Sequence, residues 1–419
     1  MSGMINGKNG AEQRLKIAML SVHSCPVGNL GTKDTGGMSV YIREVARELG
    51  RQGHLVDIYT RVHDPADPQI VEFGDRARLI HLPAGDDFAI PKLALYLHLP
   101  DFACNLERYR RENGLSYDLV FNHYWLSAWV GQYVRQWWHV PDITMFHTLG
   151  AVKNRFGSRT DEPDLRIETE KEMAAGCRRI IAATAREKED LQRHYHVPSN
   201  KVSVVPCGVN PDLFRPTPPE ESRAMLNLPR SEKIVLYVGR IDPLKGVHNL
   251  IKAISLMPAE TRPRLLIIGG DPTTSREMNH LEELAREGGI SGSVDFRGIM
   301  PQSELPHYYA AADVTIIPSY YESFGLVALE SLACGTPVVA ADVGEMKSII
   351  RQGETGLVLA DNSPQNLAGG ITAALEHLSG RPSVRRKARE SVRRFHWPLV
   401  AEELSHIFRQ VVPEHSAVV

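Results

Sequence analysis

From Leu15 onward the chain alternates short, nearly unbroken apolar runs with longer stretches in which apolar residues recur at helical spacing. The runs at 15–22, 54–60, 79–83, 118–122, 143–147, 179–183 and 202–206 read as strands. They are too short for buried helices and are bounded by turn-forming residues. A strand that is apolar on both faces needs cover on both, and the amphipathic segments between the runs supply it. The pattern therefore predicts a parallel sheet wrapped in helices.

Between 210 and 232 the alternation dissolves into a proline- and charge-rich stretch (NPDLFRPTPPEES), and a fresh strand begins at 234–238. Further runs follow at 265–269, 294–297, 314–318, 338–341 and 357–359. Two doubly wound α/β domains in tandem are the expectation: 15–212 and 213–396, behind a disordered tail at 1–14. A last amphipathic helix, about 397–413, is expected to pack back on the first domain. The basic run VRRKARESVRR reads as a solvated helix face. Four of the five tryptophans fall between Trp125 and Trp138. Gln132, Arg135 and Gln136 break the apolar face there, which favours packing in the core over lying on a membrane.

Composition narrows the classes. A chain of 419 residues, 42% hydrophobic and 23% charged, fills two cores more comfortably than one. Its net charge of -2, from 48 basic and 50 acidic residues, gives no global field to gather nucleic acid, so any anion binding must be local. The five cysteines are far apart and odd in number, which suits a reducing compartment. Residues 1–14 lack the apolar core of a signal peptide, and no stretch approaches the roughly 20 apolar residues that span a bilayer. A cytoplasmic protein without integral membrane segments is expected.

Three segments carry candidate chemistry. The first strand leads through His23-Ser24-Cys25-Pro26 to Asp34-Thr35-Gly36-Gly37-Met38 and a helix. Paired glycines at such a turn let backbone N–H groups approach a phosphate, although tight turns need glycine in any case. The spacing is not the G-x-G-x-x-G of dinucleotide enzymes. In the second domain, Val238–Gly246 puts Arg240 and Lys245 on one loop at the carboxyl end of a strand, where cations could meet a diphosphate. Finally, in PSYYESFGLVALE, Glu322 and Glu330 lie about two helical turns apart around an apolar run. A glutamate inside VALESLACGTPVV is costly to bury without a partner, which points to a hydrogen-bonded ligand hydroxyl or to structural capping.

These segments together resemble the retaining glycosyltransferases of the two-Rossmann GT-B fold (family 4, group 1). The likeness is closest to the branch acting on D-inositol 3-phosphate in mycothiol synthesis, with sucrose-phosphate synthases near by. HSCP…DTGGMSVYI, NHYWLSAWVG and FHTLGAVKN carry that closer likeness. The resemblance implies that Arg240 and Lys245 hold the diphosphate of a nucleotide-sugar, with uridine the family's usual base, while Gly36 and Gly37 approach from the other domain. It puts Glu330 on the ribose hydroxyls, Met300 in the donor site, and Glu322 with the Phe324, Gly325 and Leu326 backbone on the transferred sugar.

His147 matches the family's active-site histidine. Lys92, Tyr124, Thr148 and Arg166 match positions that hold an acceptor phosphate, and His23, Asp34, Thr35, Met38 and Ser39 line the acceptor ring, Ser39 standing where asparagine is usual. The implied reaction is front-face displacement with retention, Glu322 acting as a stabiliser and not as a covalent catalyst. The implied partners are a nucleotide-sugar and a small phosphorylated acceptor, and a homodimer is the symmetry prior. No side-chain metal cluster is visible and no essential metal is expected, with room for magnesium held by backbone. Transfer to an unphosphorylated or lipid acceptor, a nucleotide-sugar epimerase and a non-catalytic binding protein stay open as alternatives.

Overall fold

The computed structural model describes residues 13–28, 35–85, 90–156, 162–270 and 274–413. Asp34 and most of the tail at 1–14 lie outside these residues. In chain order the strands are β1 (Lys16–Leu20), β2 (Leu55–Arg61), β3 (Ile70–Gly74), β4 (Ala77–Leu82), β5 (Leu119–His123), β6 (Asp142–Met145), β7 (Arg179–Ala182) and β8 (Val202–Val204). After the proline-rich stretch come β9 (Ile234–Val238), β10 (Arg264–Ile268), β11 (Val294–Gly298), β12 (Val314–Ile317), β13 (Val338–Ala341) and β14 (Gly356–Leu359).

They form two sheets, ordered β3-β4-β2-β1-β5-β6-β7-β8 and β11-β10-β9-β12-β13-β14. All pairings are parallel except β3 with β4. The central strands are almost wholly buried, Ile17, Met19, Phe121, Leu236 and Ile316 all at 0% exposure, as the unbroken apolar runs require. The parallel sheet that the pattern predicts thus carries one antiparallel strand at its edge, at a position where no run was read. β3 runs back from β4 through a two-residue turn in which Arg76 takes φ 60°. It is an edge strand, with Ile70 40% exposed, so its apolar signal is weak.

Each sheet reverses its strand order once, at β1/β5 and at β9/β12. Ligands of open α/β sheets bind beyond the carboxyl ends of strands at such switch points. The chain leaves the second domain at an isolated bridge between Val209 and His396. Its last helix, Trp397–Val411, then packs on the Gly37–Arg51 helix. Trp397 meets the Tyr41 ring at 5.6 Å and Phe408 meets Phe121 at 5.2 Å. His54 Nε2 lies 2.7 Å from Ser405 Oγ, and His54 Nδ1 accepts from the Leu15 N–H at 3.0 Å. Buried aromatics of this size each contribute on the order of 1.5–3 kcal/mol, so the last helix is a structural part of the first domain.

Candidate active site

A cleft of ≈ 410 Å³ separates the carboxyl ends of the two sheets. On the second-domain side, the loop after β9 turns through a short helix, Pro243–Lys245, whose start is capped by the Asp242 side chain accepting from Leu244 N–H at 2.9 Å. Gly246 follows at φ 67°, and a Cβ there would stand 2.1 Å from the Pro318 carbonyl oxygen. Only glycine lets this loop lie against the one after β12. The approach brings Lys245 Nζ to 2.6 Å from Glu322 Oε1, which also accepts from Ser319 Oγ at 2.7 Å. Arg240 faces the cleft with the Asp242 carboxylate 3.8 Å away.

The segment after β12 ends at Gly325, φ 119°, where a Cβ would meet Met346 Cε at 2.1 Å. The Leu326–Ala333 helix starts there, and its first turn, with Phe324 and Gly325, lines the cleft. A helix leaves its first N–H groups without partners of its own, so this wall offers donors to an anion or to hydroxyls. Glu330, one turn on, is 8% exposed. Tyr309 Oη donates to Glu330 Oε2 at 2.8 Å and Gln302 Nε2 to Oε1 at 3.3 Å. Burial pushes the Glu330 carboxyl up to about 7 against the pull of those two bonds and of the Arg43 charge. Met300 and Gln302, from the loop after β11, complete this side.

On the first-domain side, Gly36, Gly37 and Met38 open the Gly37–Arg51 helix into the cleft. A Cβ on Gly37 would come within 3.2 Å of Leu326 Cδ1, so the two walls nearly touch there. The same helix sends Arg43 to Gln302, Nη2 to Oε1 at 2.5 Å, and Gln302 continues to Glu330. Two bulky residues sit in the left-handed backbone region at this wall, Tyr124 at φ 76° after β5 and His147 at φ 61° after β6. Such conformations cost on the order of 1–3 kcal/mol and persist where the surroundings demand them. His147 Nε2 and His123 Nδ1 are 3.0 Å apart, and the Tyr41 ring abuts His147 edge-on at 5.3 Å. Burial pulls the His147 imidazole down to about 3, so it is neutral at working pH.

At the far end His23, Thr35, Lys92, Tyr124 and Thr148 line the cleft. Lys92 Nζ lies 5.6 Å and Arg166 Cζ 4.9 Å from the centre of the Tyr124 ring. Two of the acceptor residues anticipated from the sequence do not reach the surface of the cleft. Ser39 is fully buried, with its Oγ 2.7 Å from Ser24 Oγ. Arg166 is 2% exposed behind Thr148, which it meets at carbonyl and hydroxyl (2.9 and 3.0 Å), with Glu170 Oε1 at 2.7 Å on its Nε and Glu162 Oε2 at 2.8 Å on Nη1.

Sequence reasoning passed over Lys153, His123, Gln302 and Ser319. Lys153, Gln302 and Ser319 line the cleft, and His123 stands behind His147. Lys153 and His123 sit inside motifs that carried the likeness, FHTLGAVKN and NHYWLSAWVG, so a signal was present. Gln302 had none, because only the fold brings it between Arg43 and Glu330. Among the described residues no group of three or more His, Cys, Asp and Glu side chains converges on a point that could hold a metal ion, and no helix is long and apolar enough to cross a membrane. Cys25, Cys177, Cys207 and Cys334 are buried free thiols and Cys104 is an exposed one.

Residues 35–213 match the family model described as Glycosyltransferase Family 4, and residues 219–392 the model described as Glycosyl transferases group 1. The chain is 36% identical over 406 residues to a D-inositol 3-phosphate glycosyltransferase of Corynebacterium glutamicum, covering 95% of this chain and 97% of that one. A sucrose-phosphate synthase structure from Thermosynechococcus elongatus superposes with a TM-score of 0.87 at 36% identity, over 95% of this chain and 99% of the other. HepE of Anabaena, solved with UDP and glucose, gives 0.76 at 18% identity over 94% and 100%, a likeness of fold.

Proposed function

The chain belongs to the group 1, family 4 glycosyltransferases of GT-B fold, and from that premise we propose that it moves a hexosyl group from a UDP-sugar to a small phosphorylated polyol or sugar with retention of anomeric configuration. The observation that carries the reading is the composition of the cleft. Arg240, Lys245, Glu322 and Glu330 come from one wall, and Gly37 and His147 face them from the other. Both cations suit the diphosphate, whose charge grows as the sugar leaves. Glu330 accepts the ribose hydroxyls. Glu322, its orientation fixed by Lys245 and Ser319, holds the transferred ring beside the helix start at Leu326.

In the reaction the bond from the anomeric carbon to the diphosphate breaks, and the nucleoside diphosphate leaves with the electron pair. The acceptor hydroxyl attacks the same face and passes its proton to the departing phosphate oxygen. No side chain is required as nucleophile, and the protein's work is positioning and charge stabilisation. Held down to about 3, the His147 imidazole is too weak a base to keep the proton at working pH, but its ring and carbonyl can orient the sugar and the developing charge on its anomeric carbon. For the acceptor phosphate, the aromatic and hydroxyl groups of Tyr124 and Thr148 with Lys92 and Arg166 near by suit a dianion. The unpaired, mostly buried thiols support a cytoplasmic setting. Proton NMR of the product tests the mechanism: an anomeric coupling that matches the donor's configuration is expected, and an inverted anomer contradicts front-face displacement.

A further inference from the structure

At the acceptor end of the cleft two cations share one carboxylate of the chain itself. Glu162 Oε1 is bonded to Lys153 Nζ, and its Oε2 lies 2.8 Å from Arg166 Nη1. The Glu162 backbone is fixed at both ends to one side chain: its N–H donates to Asn154 Oδ1 at 2.6 Å, and its carbonyl accepts from Asn154 Nδ2 at 3.0 Å. The carboxylate is therefore delivered to the cations by a rigid attachment.

The other carboxylate on Arg166 is of a different kind. Glu170 is 0% exposed and also accepts from Gly150 N–H at 2.9 Å and Tyr195 Oη at 2.5 Å, which ties it to the scaffold. Glu162 keeps a side-chain exposure of 20%, and among the described residues its carboxylate bonds to the two cations alone. Of the two cations, Lys153 lines the cleft, while Arg166 stands immediately behind Thr148 and Tyr124, which do.

Resting on the reading of a phosphorylated acceptor, we propose that Glu162 is the resident counter-anion of the acceptor pocket. It holds Lys153 and Arg166 until a phosphoryl group takes its place, and so sets how strongly the chain prefers phosphorylated acceptors. A phosphoryl group presents a pair of anionic oxygens to the same two donors, with the higher charge of a dianion. An internal competitor of this kind lowers the apparent affinity for phosphate by the fraction of time that it occupies the site. Burial works to raise the Glu162 carboxyl, but Arg166 and Lys153 outweigh it and hold the group below its usual range. The competitor is thus charged at every pH at which the acceptor is a dianion. Lys153 becomes a binding residue for the acceptor.

The test compares the full-length wild type with Glu162→Gln, which keeps the side chain's size and the backbone's bonds to Asn154. Inorganic phosphate serves as competitive probe, with phosphorylated and unphosphorylated acceptors read side by side. The proposal expects the inhibition constant of phosphate and the KM of phosphorylated acceptors each to fall on the order of tenfold in Glu162→Gln, with the donor KM and the KM of unphosphorylated acceptors unchanged. Lys153→Met should reverse the gain when combined with Glu162→Gln. Phosphate inhibition in the wild type that is unchanged or weaker in Glu162→Gln overturns the proposal and leaves the phosphorylated acceptor standing. Absence of phosphate inhibition in both proteins, with no preference for phosphorylated acceptors, removes that reading and this proposal together.

Discussion

Single side chains set the conditions under which the donor can bind. Glu330 can accept two ribose hydroxyls fully only when ionised, and burial has pushed its carboxyl up to about 7. Donor affinity should therefore rise with pH through about 7 and level off above it. In Glu330→Gln it should be weaker by tenfold or more, and this contribution to the pH dependence should vanish. Calorimetric titration of UDP from pH 5.5 to 8.5 in both proteins reads the difference, and parallel profiles would contradict the assignment. The same group affects stability in the opposite sense. Its folded-state pKa lies above the unfolded value of 4.5, so the stability cost it imposes grows as pH rises through that interval and is complete above about 7. Glu330→Gln should raise the melting temperature more at pH 8 than at pH 5. His147 differs: held down to about 3 by burial, it should contribute no limb to the pH–rate profile near 6.5. Replacing it with alanine should lower kcat on the order of 10²-fold while donor affinity changes far less. A limb near 6.5 that disappears in His147→Ala would show that the ring titrates during turnover.

Elements explain what the sequence disclosed and what it concealed. Strands buried on both faces, such as β1, β5, β9 and β12, announce themselves as apolar runs, and their loops carry the glycines and charges of the cleft. β3 escaped because an exposed edge strand needs few apolar residues, and its Ile70 lies 40% exposed. That Arg240, Lys245, Glu322 and Glu330 line one cleft could be anticipated because they lie on two loop-and-helix segments of one domain. The acceptor side was harder. Arg166 spends its donors on Glu162, Glu170 and Thr148; the two glutamates stand four residues to either side of it, a spacing legible in the sequence, whereas only the fold brings Thr148 against it. Ser39 faces Ser24 because the helix begins at Gly37, which turns position 39 inward. A constraint at the scale of an element sits at Gly325, where φ is 119° and a Cβ would overlap Met346. Gly325→Ala should cost about 1–3 kcal/mol of stability and depress transfer far beyond what the remaining folded fraction explains. A variant with wild-type melting temperature and activity would contradict the role given to this helix start.

At the scale of the whole molecule, the proposed donor site draws on two domains that already meet. Gly37 stands against Leu326, and Arg43 reaches Gln302 and through it Glu330. Arg43→Ala should therefore weaken donor binding several-fold without a metal or acceptor effect, and Arg43→Lys should restore part of it. An unchanged donor KM in Arg43→Ala would mean that this bridge has no part in donor binding. Scattering should show compaction on adding UDP if the domains close on the nucleotide; unchanged dimensions would count against closure. The central claim, transfer to a phosphorylated acceptor, is met most directly by incubating the protein with UDP-sugars and matched polyols and sugars with and without phosphate, and reading product mass alongside UDP release. The account predicts a product heavier than a phosphorylated acceptor by one hexosyl group, formed far faster than any product of its unphosphorylated counterpart. Equal or faster transfer to unphosphorylated acceptors would contradict it.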